Sequence, residues 1–217
     1  MAICILSLSS ISCAEKYLPD EPEIGRDETI SNQKGIASYA QALGVWKTAE
    51  DINEWVAGNF KYDRARAVNL SSNQKDRRKG IPIYEPAEFF ETKTGVCVDL
   101  ARFGVETLNK IDPDSEPKYL MIEFDPIRIN GDTFRLHWLV SFKRDGRKYF
   151  FCDSKRPGLL AGPFDSTQAF IDEYERYRGR RVVSHREMES YKKKKKLKSV
   201  KAKRTKSPDE PVAIDRE

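Results

Sequence analysis

Histidine is scarce in this sequence: 217 residues contain only His137 and His185. His185 sits in a polar, charge-rich C-terminal stretch, so any imidazole chemistry falls to His137. Cysteine is nearly as rare. There are four, Cys4, Cys13, Cys97 and Cys152, too few and too scattered for a disulfide framework. Acidic residues are missing from 192–206, which holds ten Lys or Arg. That block outweighs the formal net charge of +5 and leaves residues 1–191 near neutral, with no sign of a nucleic-acid surface. The apolar run at residues 2–12 is too short to span a bilayer.

That run ends in Ser12-Cys13-Ala14 before the charged Glu15-Lys16, the outline of a signal-peptide core closing on small residues, although no Lys or Arg precedes it. Export to a periplasmic or secreted location is expected, with cleavage after Ala14. Lipid attachment at Cys13 is the weaker alternative, because Ser10 stands where a lipobox usually has Leu. Only Cys97 and Cys152 would then remain, and Cys152 in Tyr149-Phe150-Phe151-Cys152 reads as a small buried hydrophobe.

The chain divides into a signal peptide at 1–14, an exposed lead-in at 15–35, one domain at 36–183 and a disordered basic tail at 184–217. Thr48 to Phe60 reads as a helix capped by Thr48 with Asp51 three residues on. Arg64 to Gly80 has no periodicity and reads as a surface loop. Ile81 to Tyr84 suits a short strand, and Pro86 to Glu91 a helical turn. The strongest helix follows Thr94-Gly95, where Cys97, Leu100, Ala101, Gly104, Val105 and Leu108 form one stripe. Strands are predicted at Lys118 to Phe124, Thr133 to Phe142 and Arg147 to Asp153, and a last helix from Ser166 to Arg178. In the second strand Phe134, Leu136, Trp138, Val140 and Phe142 share an apolar face, with His137 on the other.

A thiol at a helix N-terminus meets unpaired N–H groups and a partial positive charge, both favouring the thiolate. Cys97 has that position. An imidazole beside it accepts the proton, and a carboxylate on the far ring nitrogen orients the imidazole and stabilises its cation. His137 and Asp153 lie on successive strands and fit those parts if the register allows; each alone is more often a surface histidine or a turn-forming aspartate. A low-pKa Cys97 is expected. A two-residue Asp145-Gly146 hairpin would set His137 against Ser154 and send His and Asp to opposite faces. A three-residue loop, Arg144 to Gly146, pairs His137 with Asp153 directly and is therefore the expected turn.

These segments carry a family resemblance. Gly95-Val96-Cys97-Val98-Asp99-Leu100-Ala101, His137-Trp138-Leu139-Val140 and Tyr149-Phe150-Phe151-Cys152-Asp153 resemble the three motifs of the transglutaminase-like superfamily, in its bacterial cysteine-peptidase form. Trp55 to Tyr62 is similar to the family's helix-then-Tyr entry to the core. The likeness covers roughly half the chain, Ile52 to Gly158. It implies an α+β fold of the papain-like, transglutaminase-like kind, with a nucleophile helix packed on an antiparallel sheet. It also implies Cys97 as nucleophile, His137 as general base and acid, Asp153 as its orienter, and Tyr62 or Trp55 as a second oxyanion donor. Asp99 reads as a helix-terminal acid favoured by the macrodipole.

The resemblance implies thioester-mediated hydrolysis of peptide or amide bonds. Other members are transferases that crosslink proteins, or have lost the triad and only bind. No cofactor or metal ligand is read from the sequence, and no loop carries the alternating Asp/Asn ligands of a calcium site. The expected partners are a protein or peptide substrate and, through Lys192 to Lys206, an anionic polymer or lipid headgroup. The chain is expected to be a monomer.

Overall fold

A computed structural model describes residues 17–23, 35–72 and 80–192. The expectations for the signal peptide, for most of the lead-in and for the tail beyond residue 192 lie outside them. Among the described residues no helix is long and apolar enough to cross a membrane.

Four helices lead into the nucleophile helix: α1 Tyr39–Val45, α2 Ala49–Asn59, α3 Arg64–Ser72 and α4 Pro86–Thr92. The α2 cap is the one read from sequence: Thr48 Oγ1 accepts from the Asp51 amide, and Asp51 accepts from the Thr48 amide at 2.9 Å. Two-residue strands β1 Lys61–Tyr62 and β2 Thr94–Gly95 pair in parallel, fixing the entry to α5 Cys97–Ile111. Strands β3 Lys118–Ile129, β4 Asp132–Arg144, β5 Arg147–Phe151, β6 Ala161–Phe164 and β7 Val182–Met188 form an antiparallel sheet in the order β6-β5-β4-β3-β7, with α6 Thr167–Arg178 between β6 and β7. This is the expected α+β arrangement, with the nucleophile helix on an antiparallel sheet.

The sheet is covered on both faces. On one, α5 packs against Val140, Phe142 and Phe151, backed by an aromatic cluster of Trp46, Trp55, Phe89, Phe90 and Phe103. Close approach is possible because Gly104 has no side chain: a Cβ there would lie 2.6 Å from Cys152 Sγ and 2.7 Å from Val140 Cγ2. On the other face Phe170, Ile171 and Tyr174 of α6 cover Leu120, Ile122, Phe124, Leu139 and Phe150, with Phe150 and Phe170 stacked 3.9 Å apart. His137, which shares its face with Leu139, is therefore buried under α6.

Several expectations are corrected. The stretch 64–72 is helix, begun by Asp63, whose side chain accepts from the Arg66 amide at 2.9 Å, and anchored by Arg66, which buries its guanidinium against Asp99. Residues 73–79 of the expected loop lie outside the described residues. Ile81 to Tyr84 is not a strand. The tail expected from residue 184 begins later, because 182–188 is β7, paired with β3. The 17–23 part of the lead-in is only partly exposed: Leu18, Asp20 and Glu21 are buried, while Tyr17 and Glu23 face solvent.

The β4–β5 hairpin also differs from expectation. Arg144 pairs with Arg147 and Val140 with Phe151, so the loop is the two-residue Asp145-Gly146, both left-handed (φ 51° and 72°), as a tight hairpin with right-handed strand twist requires. Continued regularly, that register would turn Asp153 away from His137. The chain instead enters the left-handed region at Cys152 (φ 56°). Phe151 and Cys152 both join the α5-side core, and Asp153 returns to the His137 face. The irregularity does what an extra loop residue was expected to do.

Candidate functional site

Cys97 is the first residue of α5, with β2 leading into it and Asp99 pinning the turn. Asp99 is fully buried and accepts from the Val96 amide at 3.1 Å, the Tyr84 amide at 3.0 Å and both arms of Arg66 at 2.7 and 2.8 Å. The acid thus holds the helix start through specific donors, well beyond a favourable dipole interaction.

His137 and Asp153 meet. His137 Nε2 is 3.0 Å from Asp153 Oδ1, and the carboxylate is itself held by the Lys155 amide at 2.9 Å, Arg156 Nε at 3.2 Å and the Tyr174 hydroxyl at 2.9 Å. Tyr174 lies nearly parallel to the imidazole, 17° between planes. The opposite nitrogen, Nδ1, is on the Cys97 side: the thiol, the imidazole and the Asp20 carboxylate each bring a donor atom within 4.8 Å of the others. Both side chains are buried, Cys97 at 7% exposure and His137 at 0%.

A fourth residue enters from the lead-in. Asp20 Oδ1 is 3.1 Å from His137 Nδ1, close enough for an ion pair yet without hydrogen-bond geometry, so Nδ1 has no in-line partner. Arg178 ties the segment down, donating to Asp20 Oδ1 at 2.8 Å, to the Pro19 carbonyl at 2.8 Å and to the Tyr174 hydroxyl at 2.9 Å. Ser154 Oγ donates to the Asp20 carbonyl at 3.0 Å, and Arg64 pairs with Glu21 at 3.1 Å.

The electrostatics follow from this packing. Burial alone would lower the His137 pKa, but the carboxylates of Asp20 and Asp153 outweigh it and hold the ring well above the ordinary imidazole value. Burial would raise both carboxyls; His137 and Arg178 instead hold them well below the usual range. Burial pushes the Cys97 thiol up, and the Asp20 charge adds to it, against the lowering effect of His137 and the Trp138 amide. The expected low-pKa thiol is thus not the resting state. The imidazolium already has two carboxylate counterions, and a thiolate would be a third anion in the same small space.

The cavity beside Cys97 has a volume of about 170 Å³ and is lined by Asp20, Tyr62, Cys97, Leu136 and Trp138 among others. Tyr62 therefore shares the cavity with the thiol. Trp55 does not: it is 2% exposed and stacks on Phe90 at 4.7 Å inside the aromatic core. Cys152 is also away from the imidazole, packed against Gly104. Sequence reasoning missed Asp20, Tyr174 and Arg178. The i, i+4 spacing of the last two on a helix with an apolar side was visible, but not that this side closes over His137.

The sequence matches the family described as Transglutaminase-like domain over residues 28–178. No curated protein matches it. Solved structures similar to it include Legionella pneumophila LapG in a calcium-bound form, at 18% identity and TM-score 0.34, covering 64% of this chain and 62% of that one. The EGTA-treated form of the same protein matches at 17% identity and TM-score 0.25, covering 59% of this chain and 73% of that one. This chain thus spans less than two thirds of the length of the calcium-bound relative. With the family pattern matched over well more than half its length, and with Cys97, His137 and Asp153 gathered at the start of a helix packed on an antiparallel sheet, the chain belongs to the transglutaminase-like family.

Proposed function

We propose that this protein is a cysteine-dependent hydrolase of peptide or amide bonds, acting through Cys97, His137 and Asp153. The observation that carries the reading is the polarity of His137: Asp153 holds Nε2 at 3.0 Å, leaving Nδ1 to face the thiol at the mouth of a cavity. From the resting imidazolium Nδ1 first loses its proton to solvent; neutral Nδ1 then takes the proton of Cys97 Sγ as the sulfur electron pair forms a bond to the substrate carbonyl carbon. The carbonyl oxygen becomes an oxyanion, for which the Cys97 amide at the helix start is a donor and Tyr62, which lines the same cavity, is the second. Collapse breaks the C–N bond as Nδ1–H protonates the leaving amine, giving a thioester and a neutral imidazole. Water, losing a proton to Nδ1, then releases the carboxylic acid and restores the thiol.

Alkylation by iodoacetamide tests the arrangement without knowledge of the substrate. At neutral pH, His137→Ala and Asp153→Ala should each slow modification of Cys97 relative to the wild type, while Cys97→Ser abolishes it. A rate indifferent to both His137 and Asp153 would make Cys97 an ordinary buried thiol and sink the reading. Hydrolysis is favoured over acyl transfer because Cys97 lines a cavity that water can reach, and a screen of peptide and amide substrates with and without added amines separates the two.

A further inference from the structure

Among the described residues, Asp20, Cys97 and His137 are the one group of three or more metal-ligating side chains whose donor atoms converge, each within 4.8 Å of the others. We propose that these three side chains form a Zn²⁺ site in which metal binding and nucleophilic use of Cys97 exclude each other. The proposal shares residues with the hydrolase reading but does not depend on any hydrolysis taking place.

The donor set decides the metal class. A thiol sulfur, an imidazole nitrogen and a carboxylate oxygen are the ligands of tetrahedral zinc, whereas calcium and magnesium take oxygen cages. Three protein ligands leave a fourth position, which the cavity beside Cys97 opens to solvent. Two further features point to a ligand. Nδ1 of a fully buried histidine has no hydrogen-bond partner, and it is aimed at the space between the sulfur and the Asp20 carboxylate. Around the three, the outer partners that steady a metal site are in place: Asp153 lies 3.0 Å from Nε2, so Nδ1 is the nitrogen left for a metal, and Arg178 holds Asp20. Zinc bonds of about 2.0–2.3 Å need donor atoms somewhat closer together than now. Asp20, on a segment outside regular secondary structure, has the least to rearrange. As the metal binds, the thiol proton and the Nδ1 proton of the resting imidazolium both leave to solvent, and the bound sulfur pair is no longer available to attack a carbonyl.

The test uses the reduced full-length protein and Co²⁺ as a spectroscopic probe. Tetrahedral Co²⁺ bound to a thiolate gives a sulfur-to-cobalt charge-transfer band in the near ultraviolet. The wild type and Cys152→Ser should show it, Cys97→Ser should not, and Zn²⁺ should bleach it by displacement. Asp20→Ala and the isosteric Asp20→Asn should each weaken metal binding by about tenfold or more, the least that loss of an outer partner causes elsewhere. Two variants are used so that misfolding of one does not decide the question. Zn²⁺ should also protect Cys97 from iodoacetamide, reversibly on chelation. No band in a wild type whose Cys97 alkylates, or unchanged affinity in both folded Asp20 variants, overturns the site. An intact band with no dependence of alkylation on His137 or Asp153 would instead remove the hydrolase reading and leave this one standing.

Discussion

Asp20 and His137 form a buried ion pair across the face of the imidazole that Cys97 needs, with Oδ1 3.1 Å from Nδ1. Burial does most to keep the thiol protonated, and the negative charge of Asp20 adds to it by opposing a thiolate while giving the imidazolium another counterion. In chelator-treated protein, Asp20→Asn is predicted to speed alkylation of Cys97 at neutral pH by about tenfold, the change in thiolate fraction that a one-unit fall in thiol pKa produces. Arg178, left without its carboxylate partner, would push the same way. A rate equal to or below that of the wild type, in a variant shown by circular dichroism to be folded, contradicts this account of the resting thiol.

Acid should unfold the protein in a way that reports the Asp153–His137 contact. Asp20 and Asp153 have carboxyls held below their ordinary value of 3.8, so the folded state binds fewer protons than the unfolded one. Their contribution is fully present above that value and is lost as pH falls through the folded pKa. His137 has the opposite sign: its pKa is raised above 6.5, so its contribution is present below that value and fades as pH rises through the raised one. Stability should therefore peak between roughly pH 4 and pH 7. Urea midpoints measured across pH should show a shallower acid limb for Asp153→Asn than for the wild type; parallel curves would mean that the carboxylate does not feel His137.

Gly104 lets α5 pack closely on Val140 and Cys152, and its substitution tests how α5 seats Cys97. A methyl group would meet Cys152 Sγ at 2.6 Å and Val140 Cγ2 at 2.7 Å. Gly104→Ala is predicted to destabilise by about 1–3 kcal/mol through overpacking, more than the helix-propensity gain of alanine returns. Adding Cys152→Ala removes the nearer obstacle and should recover part of that loss, a positive coupling in a double-mutant cycle. Additive effects would show that the two positions do not touch.

The Cys97 and His137 half of the candidate site is legible because its signals are local. The stripe from Cys97 to Leu108 announces a buried helix, and the alternation from Phe134 to Phe142 fixes which face carries His137. The hairpin differs from expectation because the register the site needs does not dictate the loop length: the chain meets that need with a left-handed Cys152, just past the end of β5 and six residues beyond Gly146. Such a conformation costs roughly 1–2 kcal/mol in an L-residue and leaves no compositional trace. Asp20 was invisible for another reason. Seven residues with no periodicity become ordered only through specific contacts with Arg64, Ser154 and Arg178, up to 159 positions away. The β7 strand was hidden because an edge strand can carry charge: Glu187 is satisfied by Lys148 at 2.9 Å and Thr167 at 2.9 Å, so its polarity reflects its position at the sheet edge.

Asp99, two residues after Cys97, is the acid most easily mistaken for part of the chemistry, and its effect should be structural. Four donors converge on a carboxylate with no exposure: both arms of Arg66 and the amides of Val96 and Tyr84. Asp99→Asn keeps the shape but removes the charge, leaving the Arg66 guanidinium buried without its partner; breaking such a pair costs about 3–5 kcal/mol. The variant should melt at a markedly lower temperature. Arg66→Met, which takes away the stranded cation, should restore part of the stability when combined with it. Since Asp99 is held on the far side of the helix start from His137, the pH dependence of Cys97 alkylation in folded Asp99→Asn protein should keep the midpoint of the wild type even as the folded fraction falls. A shifted midpoint with unchanged melting would assign Asp99 to the thiol's electrostatics and remove it from the helix cap.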